Sequence, residues 1–154
     1  MRRRMMKSKI HRATVTGADL HYVGSITLDP ELLERADIAE YEQVHVLDID
    51  NGNRFETYAI SGVRGSGDCC LNGAAARLVS PGDRLIVITY ADYEAAELEG
   101  FEPQVVHVDS GNQPVDEDTA RALAGLDRPA PRRYVEIESA ADLAPELASA
   151  FGNQ

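Results

Sequence analysis

The residues with the clearest potential for chemistry are the pair Gly24-Ser25, which follows the segment Leu20-His-Tyr-Val23. A serine hydroxyl is a nucleophile, the preceding carbonyl is an electrophile, and glycine has no side chain to obstruct the attack. Such a pair can undergo an N→O acyl shift that turns the peptide into an ester. Elimination from the ester, followed by hydrolysis, would leave an N-terminal pyruvoyl group. The alternative is a plain turn, which is the commoner use of a Gly-Ser dipeptide.

A second set of candidates follows the turn Asn51-Gly52. In a strand, Arg54 and Tyr58 share one face, while Thr57 points to the other. An arginine and a tyrosine on one face can bind a carboxylate and supply a phenolic proton. An exposed arginine beside a half-buried core tyrosine is the plainer interpretation of the same pattern.

Lys9 and His11 share a face of another predicted strand. The lysine could pair with an acidic substrate and the histidine could move protons, although a solvated lysine and a hydrogen-bonded strand histidine are commoner. The small residues of Asn72–Ala76 leave backbone N–H groups accessible to an anion, or simply lead into an Ala-rich helix. We expect no metal site, because the four histidines lack the spacing of metal ligands; they are His11, His21, His45 and His107.

The composition is that of a globular chain, with 154 residues of which 44% are apolar and 27% are charged. The formal net charge of -11 argues against a nucleic-acid partner, since phosphates require a basic face. No apolar run approaches the roughly 18 residues of a membrane span, and the basic start lacks the apolar core of a signal peptide. We therefore expect a cytoplasmic protein. Its adjacent cysteines, Cys69 and Cys70, favour neither a disulfide nor a metal site.

Period-two alternation of apolar and polar residues predicts several short strands. Asn51-Gly52 predicts a hairpin turn with positive φ at both residues. Many short strands separated by turn residues favour a closed β-barrel. Residues 115–154 are acidic and rich in Ala and Pro, and we interpret them as a C-terminal extension without chemistry of its own. The predicted strands are Ile10–Val15, Val44–Ile49, Phe55–Ile60, Arg84–Tyr90 and Gln104–Asp109, and the predicted short helices are Asp29–Ala36, Asn72–Val79 and Asp142–Phe151.

The order of the motifs along the chain is more specific than any single motif. They are Lys9–Thr16, Ala18–Ser25, Asn51–Arg54, Thr57–Ile60, Arg64–Ser66, Asn72–Ala76 and Pro81–Asp83. Together they resemble the pyruvoyl-dependent aspartate 1-decarboxylase family over residues 5–114. The resemblance implies a mainly β fold: a double-psi β-barrel of residues 1–114 with short helices, followed by the extension 115–154.

The resemblance also implies that the chain cleaves itself between Gly24 and Ser25. The products are a β chain, 1–24, and an α chain that starts at residue 25 with a pyruvoyl group. That group, without a metal or pyridoxal phosphate, forms a Schiff base with L-aspartate, and CO2 and β-alanine are released for pantothenate synthesis. The family assembles as homotetramers with active sites between subunits. A maturation factor remains an open possibility.

Residue roles follow from the same resemblance. Ser25 becomes the pyruvoyl group, Tyr58 matches the proton donor and Arg54 matches the carboxylate-binding arginine. Thr57 matches a residue that assists cleavage and lies at the substrate site. The remaining positions matched to substrate binding are Lys9, Asn72, Gly73, Ala74 and Ala75. The chain departs from the family pattern at Arg77 and at Cys69-Cys70, and none of these positions is a matched catalytic residue.

Two functions of other classes remain as alternatives. A double-psi barrel can serve as a non-catalytic binding module. Cleavage could also expose Ser25 with a free amine, which is the nucleophile of an N-terminal-nucleophile hydrolase.

Overall fold

The computed structural model describes residues 1–125 and contains nine strands and two α-helices in that part of the chain. The strands are β1 Arg2–Thr14, β2 Gly17–Asp19, β3 Ser25–Leu28, β4 Gln43–Asp48, β5 Arg54–Ser61, β6 Cys69–Asn72, β7 Arg84–Glu94, β8 Gln104–Val108 and β9 Pro114–Val115. The helices are α1 Pro30–Arg35 and α2 Glu117–Leu123, and 3-10 turns span Gly73–Leu78 and Ala95–Leu98.

The strands form one mixed sheet in the order β2-β6-β3-β5-β4-β7-β1-β8-β9. Backbone and side-chain bonds join its two ends: Thr16 N donates to Cys69 O at 2.9 Å, and Asn112 Nδ2 donates to Thr14 O at 2.8 Å and to Gly67 O at 2.7 Å. These bonds link the end of β1 to β6 and bring the segment after β8 to both. The prediction of a mainly β fold with short helices is confirmed, and the closed arrangement is consistent with a double-psi β-barrel.

The inner face of the barrel is apolar, because alternate residues of each strand point inwards. Each fully buried aliphatic side chain contributes about 1.5–3 kcal/mol to folding. Fully buried examples are Ile10, Ile26, Leu28, Val44, Val46, Leu71, Leu85 and Val87. The same alternation leaves the side chains between them on the outer face, where most candidate functional residues lie.

The hairpin between β4 and β5 differs from the predicted turn. Gly52 has a φ of +80°, but Asn51 does not have positive φ. The loop is longer than a two-residue turn, since Asp48 N donates to Asn53 O at 2.9 Å. The Asp48 carboxylate accepts hydrogen bonds from the backbone N–H groups of Asp50 and Asn51, and these bonds fix the wider loop without a left-handed Asn51.

The first predicted strand begins eight residues earlier than the alternation suggested, at Arg2 instead of Ile10. The start of β1 pairs with the end of β7, and two ion pairs join them. Arg2 Nε lies 2.8 Å from Glu94 Oε1, and Arg4 Nε lies 2.9 Å from Asp92 Oδ1. Residues 2–4 are all exposed arginines, so the start of the strand has no apolar face that could show a period of two.

The predicted extension is described only in part. Its first residue, Val115, ends β9, and α2 follows; the predicted helix Asp142–Phe151 lies outside the described residues. The division of the chain after residue 114 stays a prediction. Within residues 1–125, none of the helices combines the length and apolar character that a membrane crossing requires.

Candidate functional site

Ser25 opens β3 and is almost completely buried, with 1% of its surface exposed. Its Oγ accepts a hydrogen bond from Asn72 Nδ2 at 2.8 Å and donates to Val23 O at 3.3 Å. The residues immediately before it are exposed, including Tyr22 at 53% and Val23 at 72%. The candidate nucleophile is therefore held in a fixed position, while the segment that precedes the Gly24-Ser25 bond projects from the barrel.

Asn72 is the residue that holds the serine. It ends β6 directly opposite Ser25 in the antiparallel pairing of β3 and β6. Its Nδ2 donates to Ser25 Oγ and also to Thr27 Oγ1 at 2.9 Å. Asn72 is itself buried, so this network forms where an unpaired polar group would be costly.

Gly73 supports the other side of the Gly24-Ser25 bond. Its φ is +64°, and a Cβ at this position would lie 2.8 Å from Gly24 Cα, 2.9 Å from Gly24 N and 3.0 Å from Tyr22 O. Carbon atoms do not approach this closely without displacement, so both the backbone angle and the space require glycine. Ala74 and Ala75 continue the 3-10 turn from this contact, the first exposed and the second half-buried.

Thr57 and Tyr58 lie on β5, the strand that runs parallel to β3. Strands β3 and β5 are parallel, with Ile26 opposite Ala59. Continuing this register back along the strands sets Ser25 beside Tyr58 and Gly24 beside Thr57. Tyr58 is half-buried, and its ring centroid lies 6.2 Å from that of Tyr41. The hydrogen bonds to Ser25 come from β6, and β5, which carries Thr57 and Tyr58, is the neighbouring strand on the other side of β3.

Arg54 and Lys9 lie elsewhere. Arg54 is four residues before Tyr58, about 13 Å away along the strand. On the outer face, it pairs across the sheet with Leu47, which is opposite Ile86. Lys9 is opposite Ile88 on the far side of β7, about three strand spacings or 14 Å from the Arg54 row. Among residues 1–125, neither cation has an acidic partner.

Between these two cations runs an apolar strip of Leu47, Ile86 and Ile88, all half-buried. The strip was not among the residues singled out from the sequence. A signal for it existed, because Leu85–Ile88 is a continuous apolar run, which is typical of a strand that is covered on both faces.

His11 lies across the sheet from Ile86 and does not approach Ser25 through the strand pairing. Its ring packs edge-on against His107, with centroids 5.5 Å apart, and its buried Nδ1 has no hydrogen-bond partner in the described structure. Burial, together with the nearby charge of Lys9, lowers the pKa of His11 to about 4. The imidazole is therefore neutral near pH 7.

The lowered pKa of His11 predicts a pH-dependent stability. Because the folded-state pKa of about 4 lies below the ordinary value of 6.5, protonation favours the unfolded chain. The contribution of neutral His11 to the free energy of unfolding is complete above pH 6.5, the ordinary pKa. It is lost as the pH falls towards about 4, the pKa of His11 in the folded chain. Urea unfolding at pH 7 and pH 4.5 should show a smaller loss of stability in His11→Gln than in the wild type. Equal losses in both proteins would contradict this assignment.

The carboxylate oxygens of Asp48, Asp50 and Asp83 lie within 4.8 Å of one another. Each carboxylate already has a partner within the chain. Asp48 accepts hydrogen bonds in the hairpin loop, Asp50 forms an ion pair with Arg84, and Asp83 accepts from Ser80 N at 2.7 Å. Arg84 lowers the pKa of Asp50 to about 2, whereas burial raises the pKa of Asp48. The cluster joins the β4–β5 loop to the start of β7.

Comparison with known protein families gives a match to the aspartate decarboxylase family over residues 1–115. The match covers the whole barrel, including β3, β5 and β6 and the contacts that surround Ser25. The chain therefore belongs to the aspartate decarboxylase family, and it catalyses the decarboxylation of aspartate, a step of pantothenate biosynthesis.

Proposed function

We propose that this chain is a self-processing precursor in which Ser25 is converted into the pyruvoyl group that decarboxylates L-aspartate. The observation that carries the proposal is the buried Ser25 hydroxyl, bonded to Asn72 Nδ2 at 2.8 Å, next to a Gly24 backbone that only glycine at position 73 can approach. A nucleophile held this firmly beside an unobstructed carbonyl favours intramolecular attack.

The proposed processing has three balanced steps. First, Ser25 Oγ bonds to the carbonyl carbon of Gly24, the Gly24–Ser25 C–N bond breaks, and the hydroxyl proton passes to the Ser25 nitrogen. Second, Ser25 loses its Cα proton while the Cβ–Oγ bond breaks, which releases the Gly24 carboxylate and leaves dehydroalanine. Third, the dehydroalanine tautomerises to an imine, water adds to its Cα, and the C–N bond breaks; the nitrogen leaves as ammonia, which takes up the proton released in the second step.

The residues around Ser25 fit a small ketone at this position. Gly73 has no side chain to fill the space beside Gly24. Asn72 Nδ2 remains available as a hydrogen-bond donor once the serine hydroxyl is gone. When present, a pyruvoyl group supplies a carbonyl that condenses with a primary amine and accepts the electron pair left by departing CO2. The protein's own side chains bind the substrate and donate the proton. Arg54 binds a carboxylate of the substrate, and Tyr58 protonates its former α-carbon.

The separation of Arg54 and Lys9 from Ser25 supports a site completed by a second copy of the chain. The two cations flank the apolar strip of Leu47, Ile86 and Ile88 on the outer face. A half-buried apolar strip between two cations that have no acidic partner among residues 1–125 suits an interface that encloses a dicarboxylate substrate. We propose a homotetramer in which Ser25, Tyr58 and Asn72 of one subunit face Arg54 and Lys9 of its neighbour.

Mixed oligomers test this arrangement. Ser25→Ala and Arg54→Ala subunits should each be inactive as homo-oligomers, whereas their co-expression should restore a fraction of the activity. A site that combines wild-type Ser25 from one subunit with wild-type Arg54 from another can form only in the mixture. If the purified mixed oligomer shows no more activity than either parent, the shared site is wrong.

Tyr58→Phe separates cleavage from turnover. Removing the phenolic proton donor should leave cleavage intact but lower kcat for aspartate by about 10²-fold or more, the usual contribution of a general acid. The mass spectrum reports cleavage and β-alanine release reports turnover. Unchanged β-alanine production would show that Tyr58 is not the proton donor.

Two other proposals complete this account. We propose a cytoplasmic enzyme, and we propose that an accessory protein is a candidate for accelerating maturation. The two alternatives would give other products than the proposed pyruvoyl enzyme. A binding module would stay uncut, and an N-terminal-nucleophile hydrolase would be cut but would retain a free amine on Ser25.

A further inference from the structure

Cys70 belongs to the hydrogen-bond network of Ser25, and neither the family resemblance nor the proposed reaction assigns it a role. Asn72 Nδ2 donates to Ser25 Oγ at 2.8 Å and to Thr27 Oγ1 at 2.9 Å. On its other side, Asn72 Oδ1 lies 3.6 Å from Cys70 Sγ, within the range of a hydrogen bond from sulfur and closer than the other acceptor, Leu71 O, at 3.9 Å. The amide of Asn72 is thus held between two hydroxyls and one thiol.

The strand period explains why Cys70 reaches this network and Cys69 does not. Cys69 faces the core, where burial raises the pKa of its thiol to about 12. Cys70 points to the opposite face and pairs across the sheet with Thr27. Gly17 leaves room for the sulfur, because a Cβ at that position would lie 3.1 Å from Cys70 Sγ.

The thiol decides which end of the Asn72 amide faces the serine. A primary amide turned by 180° exchanges its oxygen and nitrogen with little change in shape, so neighbouring donors and acceptors set the orientation. Cys70 can donate its S–H to Oδ1 in a weak hydrogen bond, whereas the turned amide would place the N–H groups of Nδ2 against a sulfur that carries its own hydrogen. Burial and the nearby Asp19 charge raise the pKa of Cys70, so the thiol keeps its proton at neutral pH.

The orientation matters for the direction of the Ser25 proton. With Nδ2 as the donor, the Ser25 hydrogen is not bound to Asn72 and points towards the backbone at Val23 O. In the turned amide, Oδ1 would accept that hydrogen and draw it away from the backbone nitrogen that must receive it during the acyl shift.

We propose that Cys70 is a positioning residue for self-cleavage, which acts by fixing the Asn72 amide with Nδ2 towards Ser25 Oγ. The proposal rests on the proposed function, since it concerns the rate of the Gly24–Ser25 cleavage. It assigns no reaction to the sulfur itself. The residue contributes a hydrogen-bond donor of the right size at the right side of the amide.

The experiment follows the cleavage of newly refolded protein by intact mass under denaturing conditions. Cys70→Ala removes the donor and should slow cleavage by about fivefold, the effect of one hydrogen bond. Cys70→Ser keeps a donor and should cleave within about twofold of the wild type. The matched control is Cys69→Ala, which removes a thiol on the core face. It should reduce the melting temperature and leave the cleavage rate of the folded protein unchanged.

The outcomes separate this inference from the proposed function. A wild-type chain that stays uncut contradicts self-processing itself. A wild-type chain that cleaves, together with Cys70→Ala that cleaves equally fast, overturns the role of Cys70. Cys70→Ser that is as slow as Cys70→Ala also overturns it, because a lost donor could not then be the cause.

Discussion

Ser25→Ala is expected to abolish both chain cleavage and aspartate decarboxylation. The variant lacks the oxygen that must bond to the Gly24 carbonyl, and no other hydroxyl can replace it, because Thr27 Oγ1 lies two residues along β3 on the far side of Asn72 Nδ2. Intact mass should show one full-length species, and β-alanine should not be formed. The fold should persist, since the lost hydroxyl makes one strong hydrogen bond, worth about 1 kcal/mol.

Thr27→Val is the matched control for this loss. It also removes a hydroxyl bonded to Asn72 Nδ2, at 2.9 Å, but leaves the shape of the side chain and the nucleophile unchanged. Cleavage of Thr27→Val should stay within a few-fold of the wild type. If Ser25→Ala is still cut at the wild-type site, Ser25 is not the nucleophile.

Gly73→Ala is expected to block cleavage through sterics alone. Its Cβ would lie 2.8 Å from Gly24 Cα and 3.0 Å from Tyr22 O, and these are backbone atoms that cannot rotate away. The φ of +64° adds the strain of a left-handed alanine, about 1 kcal/mol. The substitution must therefore displace the scissile segment from the geometry in which Ser25 attacks. We expect a loss of cleavage of at least 10²-fold, which is the cost of misplacing a reacting group by about 1 Å.

The control for backbone strain is Gly65→Ala. Gly65 has a similar φ of +77°, but nothing lies within 4 Å of an added Cβ. Both variants should lose similar stability from the backbone angle, and only Gly73→Ala should lose cleavage. Cleavage of Gly73→Ala at the wild-type rate would show that the contact with Gly24 does not control the scissile bond.

The strands that could be predicted from the sequence are those with at least one face packed in the apolar core. The residues of Val44–Ile49 alternate because one side lines the core, and the continuous apolar run within Arg84–Tyr90 predicts a buried strand; the two strands are found as β4 and β7. The start of β1 at Arg2 and the wide loop after Asp48 were not predictable in this way. The first has water on both faces, and the second depends on a side chain that binds backbone N–H groups locally.

The candidate site was predictable as a set of residues but not as an arrangement. The motif order identified Ser25, Asn72 and Tyr58, and the pairing of β3 with β6 and β5 sets Ser25 opposite Asn72 and makes the strand of Tyr58 its other neighbour. No pattern in the chain shows that β3 runs between those two strands, since such pairings join residues far apart in sequence. For the same reason, the distance of Arg54 from Ser25 became clear only from the register.

The central claim is that Ser25 becomes a pyruvoyl group, and the mass of the purified chains tests it most directly. Purified protein is incubated until its denaturing mass spectrum no longer changes. We expect two chains, 1–24 and 25–154, with the second lighter than a serine-started chain by one ammonia and blocked to Edman degradation. A single uncut chain, or a 25–154 chain that begins with a free-amine serine, would contradict it.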